Sequence, residues 1–200
     1  MIAGIVLAAG LGRRMGAVKP LVAIEGVPSL GRVLATLDEA GVPLVLVVLG
    51  REAGAIRRAV DLHGRRVVVN PLPERGMASS LALGLAALPG DTEGALVFHA
   101  DMPFVRPGTI RAVLRVAAEG AQIAAPYWNG CRGFPVFFRR SQWDELRATL
   151  HGDSGGKRFL ACHPDRLRTV DVDDPGCIRD IDRPGDLGSP KEATRCATCE

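Results

Sequence analysis

Aromatic side chains are scarce in this chain, at 4% of 200 residues, and no block of lysine and arginine stands out. With a formal net charge of only +3, the sequence lacks the basic stripe interleaved with rings that marks a nucleic-acid surface. The apolar run near the front, Ile2 to Ala9, is far too short to span a bilayer. It also lacks the charged lead and cleavage site of a secretory leader, so the cytoplasm is the expected location and no membrane partner is expected. Cysteines number five, an odd count, and Cys131, Cys162 and Cys177 show no framework spacing, which argues for reduced thiols. Cys196 and Cys199 form a solitary CxxC at the C-terminus. It has neither the second ligand pair of a zinc site nor the helix start of a redox motif. No Ser/His/Asp or Cys/His nucleophile arrangement is present. The histidines His63, His99, His151 and His163 have no metal-ligand spacing.

What is present describes a soluble globular protein, 47% apolar and 24% charged. The length suits one domain with a sizeable core. Residues 1–188 are read as that domain and residues 189–200 as a C-terminal tail. Apolar runs at Ile2–Ala8, Leu44–Leu49, Arg66–Asn70 and Gly94–Ala100 read as buried strands. A further short apolar stretch, Leu21–Ile24, turns at Glu25–Gly26. Helical spacing of Leu30, Val33, Leu34 and Leu37 predicts a helix over Ser29–Ala40, stopped by Gly41. Further helices are predicted over Arg51–Leu62, Met77–Leu88, Pro107–Glu119, Ser141–Leu150 and Gly155–Cys162, with strands over Gln122–Tyr127, Phe134–Phe138 and Leu167–Val172. Alternation of strand and helix implies a single doubly wound, mainly parallel α/β sheet, Rossmann-like in architecture. Ligands of such sheets bind beyond the carboxyl ends of the strands.

The loop leaving the first strand carries Gly10, Gly12 and Gly16 together with Arg13, Arg14 and Lys19. Glycines let backbone N–H groups approach an anion, and three cations in seven residues repel one another unless an anion sits among them. The Walker pattern is absent, because Lys19 lies three residues beyond Gly16 and precedes Pro20. The dinucleotide fingerprint fails too, since the spacing is GxGxxxG and the second long strand ends in Gly50 rather than an acidic residue.

Other candidates fall at the same end of the predicted sheet. Asp101 follows an apolar strand and faces the cationic loop, a suitable place for Mg2+, which takes one or two carboxylates plus substrate phosphates. Asp180 and Asp182 alternate along an extended segment and share a face, so both could approach one ion; a solvated acidic face is the rival reading. Lys19 and Arg14 are the cations expected to do electrostatic work on a bound anion. Gly76 to Ser80 opens a helix whose N-terminus suits a base or phosphate, or is ordinary capping. Trp128 to Pro135 mixes aromatic surface with Arg132, as a pocket wall or as core plus an exposed loop.

The stretch LAAGLGRRMGAVKPL resembles the signature of the MobA-like nucleotidyltransferases. NPLPERGMASSL, HADMPF, GCRGFPVFF, HGDSGGKRFL and RDIDRPGDL follow in that family's order, spanning Leu7 to Leu187. Within the superfamily the chain most resembles the molybdenum cofactor cytidylyltransferase (MocA-like) branch. The resemblance implies an Mg2+-dependent transfer of CMP from CTP to the terminal phosphate of molybdopterin, with a molybdoenzyme or its chaperone as protein partner. It implies Lys19, Arg14 and Asp101 as catalytic residues, Lys19 at the α-phosphate and Arg14 at the β- and γ-phosphates. The nucleotide site so implied comprises Leu7, Ala8, Ala9, Gly10, Gly12, Met15, Gly16, Asn70, Gly76, Ser79 and Ser80. The metal would lie on Asp101 and Asp182, and the acceptor on Arg132, Gly133, Phe134, Pro135 and Asp153. Ala9, giving LAAG, resembles pyrimidine users, whereas guanine users show LAGG. The chain departs from the family at Phe134, where a histidine is usual, and at Arg183 and Gly185.

Overall fold

A computed structural model describes residues 1–10, 17–182 and 184–187. The elements are β1 (Ile2–Ala8), β2 (Ala23–Ile24), β3 (Val27–Pro28), α1 (Ser29–Glu39), β4 (Val45–Leu49), α2 (Ala53–Ala59), β5 (Arg66–Val69) and α3 (Met77–Ala87). They continue with β6 (Gly94–His99), α4 (Pro107–Ala118), β7 (Ile123–Trp128), β8 (Cys131–Arg132), β9 (Val136–Arg139), α5 (Trp143–Thr149), α6 (Lys157–Cys162) and β10 (Leu167–Asp171). One sheet runs β10-β7-β9-β6-β1-β4-β5, with β8 paired to β7. β1, β4, β5 and β6 pair in parallel, as do β7 and β10. β9 is antiparallel to both of its neighbours. The sheet is therefore mainly parallel, as the alternation of elements predicts.

Parallel strands covered on both faces are apolar at every position, and β4 is buried throughout. Alternation along β1 divides the core in two. Val6 and Ala8 join Leu30, Val33 and Leu37 of α1 and Ile110 and Val113 of α4 on one face. Ile5 and Leu7 join Leu81 and Leu85 of α3 and Trp143 of α5 on the other. α3 lies very close to the sheet, because a Cβ on Gly84 would come 2.9 Å from Ile5 Cγ2.

Several predicted elements are shorter or differently built. The helix expected over residues 51–62 spans only Ala53–Ala59, because Val60 is already extended at φ −124° and ψ 129°. The expected run at residues 21–24 is a 3-10 turn, Lys19–Leu21, followed by the two-residue hairpin of β2 and β3. The strand expected from Phe134 starts at Val136, after a cis Phe134–Pro135 bond. The tail at residues 189–200, with Cys196 and Cys199, lies outside the described residues, as do Gly12, Arg13, Arg14, Met15, Gly16 and Arg183.

Candidate active site

Strand order reverses between β1 and β6, since β4 and β5 lie on one side of β1 and every later strand on the other. In open α/β sheets this reversal opens a crevice at the carboxyl ends. Leu7 pairs with His99 in register, and Ala100 N–H donates to Leu7 O at 3.1 Å. Asp101 therefore leaves the sheet beside Ala8 and Ala9.

Lys19 reaches the same point through its 3-10 turn, which Pro20 anchors in the interior. Its ammonium lies 3.3 Å from Asp101 Oδ2 and also donates to Asp182 Oδ1. The segment carrying Asp182 runs alongside the Asp101 loop, with Ile181 N–H donating to Asp101 O at 2.9 Å. Ile181 is buried with Ile24, so its neighbours Asp180 and Asp182 are turned the other way, toward Asp101. Carboxylate oxygens of Asp101, Asp180 and Asp182 all lie within 4.8 Å of one another.

Three carboxylates facing one ammonium set the electrostatics. Burial, with the charges of Asp101 and Asp182, pushes the Asp180 carboxyl up to about 6. Burial alone would lower Lys19. The hydrogen bond to Asp182 and the charges of Asp101 and Asp182 outweigh it and hold the ammonium above its usual value. Burial pushes the His99 imidazole down, opposed by Asp101 and reinforced by Lys19. Hard oxygen donors at this spacing, with negative charge in excess, fit a divalent cation.

The cleft has a volume of about 610 Å3, within the usual range for small-molecule sites. Its lining combines Ala9, Gly10, Lys19, Asp101, Asp180 and Asp182 with the apolar side chains of Leu81, Phe134, Val136, Phe138 and Leu160. Leu7, Ala8, Gly76, Ser80, Arg132 and Asp153 line it as well. His99 lines it too, edge-on to Phe134 at a centroid distance of 4.5 Å.

Asn70, Ser79, Gly133 and Pro135 do not line the cleft. Asn70 is a clasp: its amide donates to Ser79 Oγ at 2.8 Å and Ser80 Oγ at 2.9 Å, and its oxygen accepts from Leu72 N–H at 3.0 Å. That ties the end of β5 to the first turn of α3. Gly133 packs on Cys177, where a Cβ would come 2.5 Å from Sγ. Asp153 accepts the Met77 N–H at 3.2 Å and so satisfies one open amide of α3. Gly76, at φ +85°, fits against Gly152, whose carbonyl carbon would lie 2.4 Å from an added Cβ. Glu74, Met77 and Lys157 also line the cleft, and the motif reading passed over them. Lys157 opens α6 directly after Gly155 and Gly156, a signal the sequence did offer.

A carboxylate triad and a lysine at the switch point of a mainly parallel sheet fit an α/β protein that binds a phosphorylated ligand with a divalent cation. Residues 4–170 match the MobA-like NTP transferase domain, and the chain belongs to that family of nucleotidyltransferases. Rv0371c from Mycobacterium tuberculosis H37Rv superposes with a TM-score of 0.84 at 33% identity, covering 92% of this chain and 94% of that one. A complex of Rv0371c with manganese gives 0.75 at 30% identity, covering 86% and 88%. Nicotine blue oxidoreductase of Paenarthrobacter nicotinovorans is 28% identical over 189 residues, 90% of this chain and 92% of that protein. The bifunctional protein GlmU of Bordetella petrii is 28% identical over 158 residues, 77% of this chain. The aligned part is only 35% of GlmU. Among the described residues no helix is long and apolar enough to cross a membrane.

Proposed function

We propose that this protein transfers CMP from CTP to the terminal phosphate of a molybdopterin-type acceptor. An acceptor phosphate oxygen attacks the α-phosphorus, the α–β anhydride bond breaks, and pyrophosphate leaves with the displaced electron pair. No protein nucleophile is needed, because such transfers run on positioning and charge. The observation that carries this reading is the meeting of Lys19 with Asp101 and Asp182 beside the end of β1, at the head of one cleft.

Ala8, Ala9 and Gly10 would receive the nucleotide against exposed backbone, with Ser80 and Gly76 across the cleft. Lys19 would place its ammonium on the α-phosphate, where charge builds in the transition state. Mg2+ held by Asp101, Asp180 and Asp182 would supply neutralisation of the triphosphate and a template for its geometry. Phe134, Val136 and Phe138 would hold a flat acceptor, with Arg132 on its phosphate. Residues 1–188 would form the transferase domain. A molybdoenzyme or its chaperone would take the product.

Pyrophosphate release, measured with each NTP and reduced molybdenum cofactor, tests the reading. Release with CTP is expected. Release only with GTP, or only with a sugar 1-phosphate as acceptor, would move the substrate within the family, and none with any pair would end the proposal. The likeness to nicotine blue oxidoreductase over 90% of the chain favours a second reading, an oxidoreduction in the same cleft. Titration with NADH and NADPH separates the two, since the transferase predicts no saturable binding.

A further inference from the structure

Asp174 is a carboxylate removed from water, at 2% exposure, in a part of the chain that the transfer chemistry does not use. Its Oδ2 accepts from Arg106 N–H at 2.9 Å and from Thr109 Oγ1 at 2.6 Å. Its Oδ1 accepts from Gly176 N–H at 3.0 Å. Arg106 precedes Pro107, the first residue of α4. The side chain thus caps α4 from 65 residues away in sequence, at the helix end that favours negative charge. A buried carboxylate persists only when its acceptor capacity is met in this way.

From that anchor the chain forms a strap against the Asp101 loop. Gly176 passes so near that a Cβ would come 2.0 Å from Phe104 O. Cys177 O accepts the Phe134 N–H at 2.7 Å, and Gly133 rests on Cys177 Sγ. The Arg179 guanidinium lies 3.9 Å over the Phe104 ring. Two residues later Ile181 hydrogen-bonds to Asp101, which sets Asp180 and Asp182 in the triad. A single short turn, Pro175–Ile178, therefore supports two of the three triad carboxylates and the Phe134 part of the cleft lining. The strap also lies beyond residue 170, where the family match ends.

We propose that Asp174 is the positioning residue of this site: by locking the Pro175–Ile178 turn to the start of α4, it sets both the carboxylate triad and the acceptor wall. Ala8, Ala9 and Gly10 at the end of β1 lie on a separate segment and should keep their place without it. The acceptor half of this claim rests on the transferase reading, whereas the metal half stands without it.

The test is Asp174→Asn, which keeps the shape but turns one acceptor oxygen into a donor facing donors. Mn2+ affinity, read by electron paramagnetic resonance without substrate, should weaken about tenfold or more, as loss of outer-shell support to a metal does. The KM for reduced molybdenum cofactor should rise, while CTP affinity measured in EDTA stays within about twofold, inside the spread of such measured contributions. Thr109→Val removes one of the three donors and should give the same pattern in milder form; it carries the test if the Asn variant does not fold. Unchanged Mn2+ affinity in both variants overturns the proposal. So does a fall in CTP affinity parallel to that of Mn2+, which marks a merely structural role. If the transferase reading itself fails, no turnover appears with the wild-type protein either, and the Mn2+ measurement still decides the metal half.

Discussion

The Lys19 ammonium lies 3.3 Å from Asp101 Oδ2 and is hydrogen-bonded to Asp182, although the residues are 82 and 163 positions from it. One cation thus bridges the two ends of the carboxylate triad. It stands among the groups that a divalent ion would take, and it offsets part of their repulsion.

Lys19→Met should therefore act in opposite directions on binding and on chemistry. Loss of the ammonium at the transferring phosphate should lower kcat by about 10^2- to 10^3-fold, the range seen when a fixed transition-state donor is removed. Mn2+ affinity measured without nucleotide should instead tighten, because a competing cation has gone. Isothermal titration of Mn2+ checks the second effect; weaker binding would show that Lys19 assembles the triad rather than competing for it.

Asp180 sets a pH dependence. Its carboxyl is held at about 6 in the folded chain, against an ordinary 3.8. Between those values the folded protein keeps a proton that the unfolded chain has released, so folding stability falls as pH rises from about 4 to about 6 and levels off above. Binding of a divalent cation must expel that proton, so Mn2+ affinity should rise with pH and flatten above about 6. Melting temperature and Mn2+ affinity across pH 4–8 check both slopes, and Asp180→Asn should remove them.

Phe134→Ala tests the proposed acceptor wall. The ring lines the cleft and meets His99 edge-on, a pair worth about 0.5–1.5 kcal/mol beyond its burial. The KM for the acceptor should rise severalfold with the KM for CTP unchanged. Steady-state kinetics with each substrate varied in turn would show it, and a rise confined to CTP would assign Phe134 to the nucleotide instead.

Gly84→Ala tests the packing beneath the site. Alanine favours a helix over glycine by about 1 kcal/mol, but the new Cβ would lie 2.9 Å from Ile5 and 3.2 Å from Val48. Overpacking of a core costs about 1–3 kcal/mol, so a net loss of about 1 kcal/mol is expected in urea unfolding. A gain would mean that α3 can back away from the sheet freely.

Much of the fold was legible along the chain, for a local reason. Continuous apolar runs such as that of β4 need two covered faces, and Leu30, Val33, Leu34 and Leu37 repeat at the helical period, so each element declares its own burial. Glycine and proline punctuate the ends, as Gly41 does at φ +78°. The placing of Asp101 past a buried strand was legible on the same grounds, and so was the shared face of Asp180 and Asp182. Tertiary structure alone decided that β9 runs against its neighbours, that Asn70 clasps α3 instead of lining the cleft, and that Asp153 caps α3 from a distant loop. It also decided that the segment around Ile181 returns to Asp101. Periodicity records which face of an element is dry, whereas these contacts join residues far apart in sequence through single hydrogen bonds that leave no pattern in either partner's own stretch.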